Sequence, residues 1–513
     1  MSLQIPITGV AQDYRVPGAY AEIIYAQGQA NAPATTREVV LVMPMLTTGI
    51  WTAATLYKIN NVKDAEDGAG PGSMIHRAAR VFLEVNKDAK LWALPVAETS
   101  GGSPVAATAT VTVATTATAA GTATVTICGE DCAFTFKSAD TVTTIAAGLV
   151  GVINAKTWLP CTANNAAGVI TLTAKLKGIS QGTATVSVIR LRATISTGVT
   201  TTITTSGAFL GSAVAGAEGS TTEAANLATA LVTIAATRKY YVVSSSNDST
   251  SWTNIKTHVT TKTEPRRGLR SVGVVAYTGT LAAMTTLATG QNYERTRAAW
   301  QKNSDWDCAA IAANYAAVLQ KREAVDSAYN FDNYSGPDWL VPPAYSNADW
   351  PTSDDLNDAI SDGITAIASN DATSYIVMSC ATRSKNSTGT VDDFRATQSR
   401  VVSVTDEFVD EACINFVLNH GSKKFADDER LADGSINPNQ KFLPSVLKPS
   451  QTIAELRKQM DEYELAAKIQ DADKTKESVR AVKTGGRLET GFDLEVINWL
   501  DQMTMRVAEI SNA

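Results

Sequence analysis

The sequence predicts a multidomain protein of mixed α/β and α+β class. A central α/β core is formed by both outer parts of the chain, a small β-rich domain is inserted into it, and extended strand arms lie at the N- and C-termini. Three observations carry this prediction. Strand–helix–strand patterns occur before residue 100 and again after residue 216. Between them, from Gly101 to Ala215, the composition turns to Thr, Ala, Gly and Val with only nine charged residues, which favours short strands and tight turns. Both ends alternate with a period of two, as strands do. A length of 513 residues is also too great for one ordinary core, so several domains are expected.

The N-terminal arm covers residues 1–30. Tyr20, Glu22, Ile24 and Ala26 alternate there with Ala21, Ile23 and Tyr25, and Pro17-Gly18 marks a turn or edge position. The first part of the core covers 31–100. Residues 38–46 (EVVLVMPML) read as a buried strand. Ser73, after the loop DGAGPG, reads as the N-cap of a helix whose apolar face is Ile75, Ala78, Ala79 and Phe82. Leu91 to Val96 (LWALPV) reads as the next strand, and a helix of this kind is the crossover a parallel pair needs.

The inserted domain covers 101–215, flanked by Ala/Thr/Gly-rich linkers. One hairpin carries Val125 and Ile127 on one limb and Phe134 and Phe136 on the other, turning through Gly129-Glu130-Asp131. A helix with Ile145, Leu149 and Ile153 follows, and a second hairpin starts around Val169-Ile170.

The second part of the core covers 216–484. Tyr240 to Val243 and Val272 to Tyr277 read as strands, and the segments near 222–236, 293–300 and 308–324 read as helices. Ser353 caps another helix, with Asp354 and Asp355 in its first turn and Leu356, Ile360, Ile364 and Ile367 as its face. Tyr375 to Met378 is strand-like, and a longer amphipathic helix carries Val401, Val404, Phe408 and Ala412. Thr452-Ile453-Ala454-Glu455 reads as a capping box opening a helix with Ile453, Leu456, Met460 and Ile469. Gly485-Gly486 reads as a flexible break before the C-terminal arm, 485–513. In that arm the stretch Leu488 to Ile510 is extended, and Met503, Met505 and Val507 alternate with Thr504 and Arg506.

A net charge of -7 without a basic patch argues against a nucleic-acid or anionic-membrane partner. The N-terminus MSLQIPITGVAQDYRVPG has no basic segment followed by an apolar run, and no stretch of about 18 apolar residues is present to span a bilayer. A cytosolic site of synthesis and folding is therefore expected. Six cysteines spread over the chain do not make a disulfide framework, so buried free thiols are the default.

Catalytic motifs are sparse. There is no phosphate loop with a terminal Gly-Lys-Ser/Thr and no His-Glu-x-x-His helix. Gly68, Gly70 and Pro71-Gly72 lack the dinucleotide spacing and read as a loop entering a helix. Gly178-Ile179-Ser180-Gln181-Gly182 matches Gly-x-Ser-x-Gly, with His258 or His420 downstream as formal triad partners. A hydrolase, however, needs that serine on a strand-to-helix elbow. Ser180 instead lies between Thr-rich strand segments, where a hairpin turn is the better reading. His76, the third histidine, falls in the first turn of a helix, on an exposed position. Cys128 and Cys132 flank a turn and have no second ligand pair, so no metal or cofactor is expected. The acidic run Asp427-Asp428-Glu429 reads as a solvated loop.

The two ends carry the stronger signal. Isolated strands are not stable and must pair with a sheet. Paired within the chain, they are edge strands; paired with a neighbour, they extend its sheet and link copies head to tail. Val16, Tyr20, Glu22, Ile24, Met503, Met505, Val507 and Ile510 are the candidate residues of such inter-subunit arms.

The sequence resembles the contractile tail sheath family of Mu-like myophages and contractile tailocins. VPGAYAEI (Val16 to Ile23) looks like the family's Val-Pro-Gly-x-Tyr opening, and GPGSMIHRAARVFLEVNKDAKLWALPV (Gly70 to Val96) like its Gly-x-Gly-Ser-Met helix and Leu-Trp strand. NYERTRAAWQ (Asn292 to Gln301), AAIAANYAAVLQKREAVDSA and DWPTSDDLNDAISDGITAI (Asp349 to Ile367) follow in the family's order. The likeness covers roughly 1–100 and 216–513, and 374–395 departs from it by replacing a shorter hairpin. The resemblance implies a non-enzymatic virion protein, assembled in the bacterial cytoplasm. Its copies would stack as six-fold rings around a tail tube, interlaced by their arms, and contact baseplate and tail terminator proteins. Contraction would drive the tube through a bacterial envelope. Two other readings remain at this level: an adhesin with the Thr-rich insert as its binding tip, and a serine hydrolase using Ser180.

Overall fold

The segments VVLVMP and VGVVAY show no polar alternation because both are buried on both faces of a parallel sheet. The computed structural model describes residues 37–178, 191–196, 203–205, 215–344, 346–370, 372–383, 385 and 397–497. They divide into two compact units. One consists of Ala34–Asp326 with Asn333–Val402, and the other of Ser327–Asp332 with the chain from Ser403 onward. The architecture is mixed α/β with several sheets, as the sequence indicates.

The main sheet of the first unit contains six parallel strands: β1 (Val39–Pro44), β3 (Leu91–Val96), β11 (Tyr241–Ser244), β12 (Val272–Tyr277), β13 (Thr296–Trp300) and β14 (Thr365–Ser369). Short antiparallel strands β2 (Tyr57–Ile59) and β15 (Ser374–Ile376) close its edges, giving the order β15-β14-β13-β12-β11-β1-β3-β2. β1 and β3 pair in parallel from Val39 with Leu91 to Pro44 with Val96. The connection between them is helix α2 (Met74–Val85), capped by Ser73, whose side chain accepts from the His76 amide; Ile75, Ala78, Ala79 and Phe82 are fully buried. A preceding helix, α1 (Val62–Ala69), has no counterpart in the sequence reading.

Helices α4 (Glu223–Thr233), α5 (Ser249–Thr263), α6 (Leu281–Gln291) and α8 (Ser353–Ser361) share one apolar cluster with Val40, Val42, Leu94, Val242, Val275 and Trp300. Helix α7 (Cys308–Glu323) packs against α2 and onto β1. Its residues from Cys308 to Leu319 are all buried, which is why it shows little amphipathic pattern.

Several local expectations change. Residues 293–300, expected as helix, contain β13, buried throughout and paired with β12 and β14. The helix expected from Ser353 is capped by Thr352, whose side chain accepts from the Asp355 amide. It ends at Ser361, so Ile364 lies beyond it and Ile367 lies in β14.

Residues 106–205 build their own core. A four-stranded sheet of order β10-β4-β8-β7 uses β4 (Ala106–Val113), β7 (Cys161–Ala166), β8 (Val169–Lys177) and β10 (Ile203–Thr205). A three-stranded sheet, β6-β5-β9, uses β5 (Gly121–Ile127), β6 (Glu130–Phe136) and β9 (Leu191–Ile195). Helix α3 (Val142–Ala155) buries Ile145, Leu149 and Ile153 in a cluster whose buried members all lie between Ala107 and Leu191. The first hairpin turns through Cys128-Gly129, not Gly129-Glu130-Asp131, since Ile127 pairs with Glu130. Both turn residues have positive φ (49° and 79°), the backbone a two-residue turn of the I′ kind requires. Val169 opens the second limb of the other hairpin, whose first limb is β7, and Ala167-Gly168 turn it the same way.

The chain enters and leaves this region at one place. Ser100 bridges Thr221 and Val105 bridges Ala217, with Ser100 N–H donating to Thr221 O (3.2 Å) and Thr221 N–H to Ser100 O (2.9 Å).

In the second unit, α9 (Ser399–His420) carries Phe408, which meets Tyr463 of α10 (Pro449–Leu465) edge-on at 4.7 Å. Helix α10 starts with Pro449 at its first position, and the Lys448 amide donates to Gln451 Oε1 (2.9 Å). Thr452, expected as the cap, is therefore inside the helix and buried, and Ile469 lies beyond its end. The acidic run is not a free loop: Asp428 accepts from the Ser450 amide (3.0 Å), Glu429 pairs with Lys448 (2.9 Å) and Asp427 with Lys483 (3.1 Å). A carboxylate at Asp428 suits the exposed amides of that helix start. Gly485-Gly486, expected as a flexible break, is the two-residue turn of a hairpin between β18 (Arg480–Thr484) and β19 (Arg487–Gly491).

Candidate functional site

The three histidines are the natural starting point for chemistry, and none has a triad's surroundings. His76 is buried rather than exposed: its Nδ1 accepts from the Gly72 amide (3.1 Å), and burial pushes its pKa down to about 4. His258, on α5, is pushed down to about 3 by burial and then by Lys262 and Arg267, and its Nε2 has no hydrogen-bond partner. Only His420 faces a carboxylate, with Nε2 2.6 Å from Glu455. Ser180 lies outside the described residues. The thiols of Cys128 and Cys132 are buried, and burial pushes Cys132 up to about 11, far from a reactive thiolate. Among the described residues no group of three His, Cys, Asp or Glu is placed to hold a metal ion, and no helix is long and apolar enough to cross a membrane.

The densest charge cluster is closed to solvent. Glu323, at the last turn of α7, accepts from Arg297 (2.7 Å), from Arg37 and from the Tyr241 hydroxyl. Arg297 also donates to Ser399 O (3.2 Å). Burial works against the Arg297 charge, but Glu323 and the neighbouring tyrosines outweigh it and raise the pKa above its usual value. Burial, then Glu323, push Tyr241 well above its usual value. A carboxylate saturated by two guanidinium groups and a phenol, 1% exposed, ties three elements together and is not placed to act on a substrate. Sequence reading had no signal for it, because Arg37 and Glu323 lie 286 positions apart.

The arms remain as candidates for an assembly surface. Val16, Tyr20, Glu22, Ile24, Met503, Met505, Val507 and Ile510 all lie outside the described residues. What can be placed is the backbone such strands would meet. Two strand edges in the 106–205 region, those of β7 and β6, carry side-chain contacts to their backbone. The Asn154 side chain bonds both the N–H and the C=O of Ala163 on β7 (2.9 Å each), and Lys156 Nζ donates to Asp131 O on β6 (2.7 Å). The hairpin β18–β19 is different. Among the described residues it is a sheet of two strands, with no described strand on the outer edge of β18. Two strands alone are marginal, and a third would extend the ladder. Beyond the hairpin the chain turns back, and Ile469 bridges Val496.

Comparison with known proteins places these features in context. No family model matches the chain. The tail sheath protein of the Mu-like prophage FluMu from Haemophilus influenzae is 26% identical over 176 residues, covering 34% of this chain and 36% of that protein. The match therefore spans about a third of the relative's length. Among solved structures, the sheath tail protein of Desulfitobacterium hafniense aligns with 92% of this chain and 93% of its own, at 14% identity and a TM-score of 0.44. That of Listeria innocua aligns with 90% and 96%, at 12% identity and 0.44. A chain of the anti-feeding prophage baseplate, solved by cryo-EM with six-fold symmetrisation, aligns with 97% and 100%, at 11% identity and 0.43. Superpositions at that level fix no shared fold by themselves. The sequence match is to a tail sheath protein of the Mu-like type, and over about a third of its length this chain is similar to it.

Proposed function

We propose that the chain is the structural subunit of a contractile tail sheath, a self-assembling virion component and not an enzyme. The likeness to the FluMu tail sheath protein carries this reading. Copies polymerise as six-fold rings stacked around a tail tube, meeting baseplate and tail terminator proteins at the ends, with no direct nucleic-acid contact and no membrane insertion. Assembly takes place in the host cytoplasm. Contraction then drives the tube through the bacterial envelope.

The β18–β19 hairpin supports this reading. Among the described residues it is a short sheet with no strand paired to the outer edge of β18, which is what an arm from a neighbouring copy needs. Each added backbone hydrogen bond contributes about 0.5–1.5 kcal/mol net, so five or six make a durable link. In this scheme residues 1–30 and the chain beyond residue 497 are the linking segments, since 485–491 belong to the receiving hairpin itself, and 101–215 is an inserted module on the sheath's outside. Neither the adhesin nor the hydrolase alternative is favoured by the comparisons.

Negative-stain microscopy of the purified protein tests the proposal. Tubes with regular rings are expected, and deletion of residues 498–513 is expected to leave folded monomers that do not polymerise. A full-length protein that stays monomeric under all assembly conditions sinks the proposal, as does a truncated one that still forms tubes.

A further inference from the structure

The apolar core of the 106–205 module is closed within itself, so the module's orientation on the sheet-bearing body must be set by something else. Several polar contacts among the described residues cross that boundary. Arg192, on β9, grips Asp305 with both arms of its guanidinium, Nε donating to Oδ1 at 3.1 Å and the second nitrogen to Oδ2. Asp305 is 8% exposed, so water screens this pair little. Arg80, on α2, pairs with Glu130 of β6 (2.8 Å) and lies over the Trp158 ring at 4.9 Å; Lys156 approaches the same carboxylate (3.6 Å). Lys175, on β8, donates to Pro71 O (3.1 Å) in the loop entering α2, and also to Thr157 O (2.7 Å).

The body side of this boundary is rigid. Two residues after Asp305, Asp307 caps α7 by accepting from the Ala310 amide (2.8 Å) and also takes Arg77 Nε (2.6 Å). The fork of Arg192 is thus fastened to the start of the helix that ends at the buried Glu323. At the turn Cys128-Gly129, a Cβ on Gly129 would stand 2.9 Å from the Trp306 ring, so only a glycine lets the turn lie this close.

We infer that Arg192 and Asp305 form a clasp that fixes the inserted module in one orientation on the body, so that the module is carried as a rigid part of the subunit rather than swinging on its junctions. A planar guanidinium held by two bonds specifies direction as well as proximity, which a single lysine contact does not. The contacts of Arg80 and Lys175 then close the remaining sides. This inference concerns the single subunit and stands whether or not the sheath reading does.

A charge swap in the full-length chain tests it. Arg192→Glu and Asp305→Arg are made singly and together, and each protein is treated with a broad-specificity protease. Cutting is read at the two junctions, residues 97–105 and 215–222, with circular dichroism as the check of folding. Each single reversal is expected to raise junction cleavage about tenfold, the scale of coupling usual for charge pairs in contact, and the double swap to restore resistance. Equal resistance of both single variants and the parent overturns the clasp, as does a double variant no better than either single one. Should a reversal prevent folding, Arg192→Gln and Asp305→Asn replace it: raised junction cleavage is again expected, and unchanged cleavage overturns the clasp.

Discussion

Glu323 accepts from Arg37, Arg297 and Tyr241 in a place where no water can replace a lost partner. Neutralising it leaves two buried guanidinium groups without their common counter-charge. Glu323→Gln is therefore expected to destabilise the protein by about 3–5 kcal/mol, read from denaturant unfolding. His258 makes a second residue-level test. Its folded pKa of about 3 lies below the ordinary 6.5, so between these values the unfolded chain binds the extra proton. Stability is then lost as pH falls through that window, with no contribution above it. His258→Leu removes this titration and an unpartnered Nε2, so its melting temperature is expected to fall less steeply from pH 6.5 towards 4 than that of the parent. An unchanged slope rules His258 out as an acid-sensitive group.

Among the elements, the two-residue hairpins show how much one backbone angle decides. Gly485 sits at φ 63° between β18 and β19. A β-branched residue there pays roughly 1–2 kcal/mol for the left-handed conformation. Gly485→Val is expected to speed amide exchange in Lys483 and Leu488 while leaving α10 protected, and Gly485→Asn to be nearly neutral. Turns of this kind were partly legible in the sequence. Glycine marked the turn at Gly129, but its partner residue was misplaced by one or two positions, and Gly485-Gly486 read as slack because pairing between 480–484 and 487–491 leaves no periodic trace in so few residues. The strand β13 was illegible for a different reason. The centre of TRAAW, Arg297, Ala298 and Ala299, is built of good helix formers, and its place between β12 and β14 makes it a strand. By contrast, β1, α2 and β3 stood out because an uninterrupted apolar run, a capped amphipathic turn and a second apolar run are three independent signals in a row.

At the scale of the whole molecule, composition was the better guide. The low-charge stretch that begins at Gly101 includes an apolar cluster whose buried members lie between Ala107 and Leu191, and the α/β pattern after 216 includes β11, which pairs with β1. Contacts between residues far apart in the chain, such as Arg192 with Asp305 or Arg37 with Glu323, could not be read, because no local spacing encodes them. The large apolar side chains under the sheet also belong to this scale. Trp300, 1% exposed, touches α-helical and strand neighbours in one cluster, so Trp300→Ala is expected to lower stability by about 3–5 kcal/mol in a single cooperative transition. A biphasic melt would mean that the sheet does not unfold as a unit.

The bridge between Ser100 and Thr221 brings together two points that are 121 positions apart in sequence. With Ser220 N–H already donating to Gly101 O, and Gly101 at φ 72°, fusing Gly101 directly to Ser220 would leave a two-residue bend spanning the existing bridge. Joining Gly101 to Ser220 is expected to preserve the pairing of β1 with β3 and β11, read from amide exchange in those strands, while leaving Asp305 and Arg80 without their partners Arg192 and Glu130.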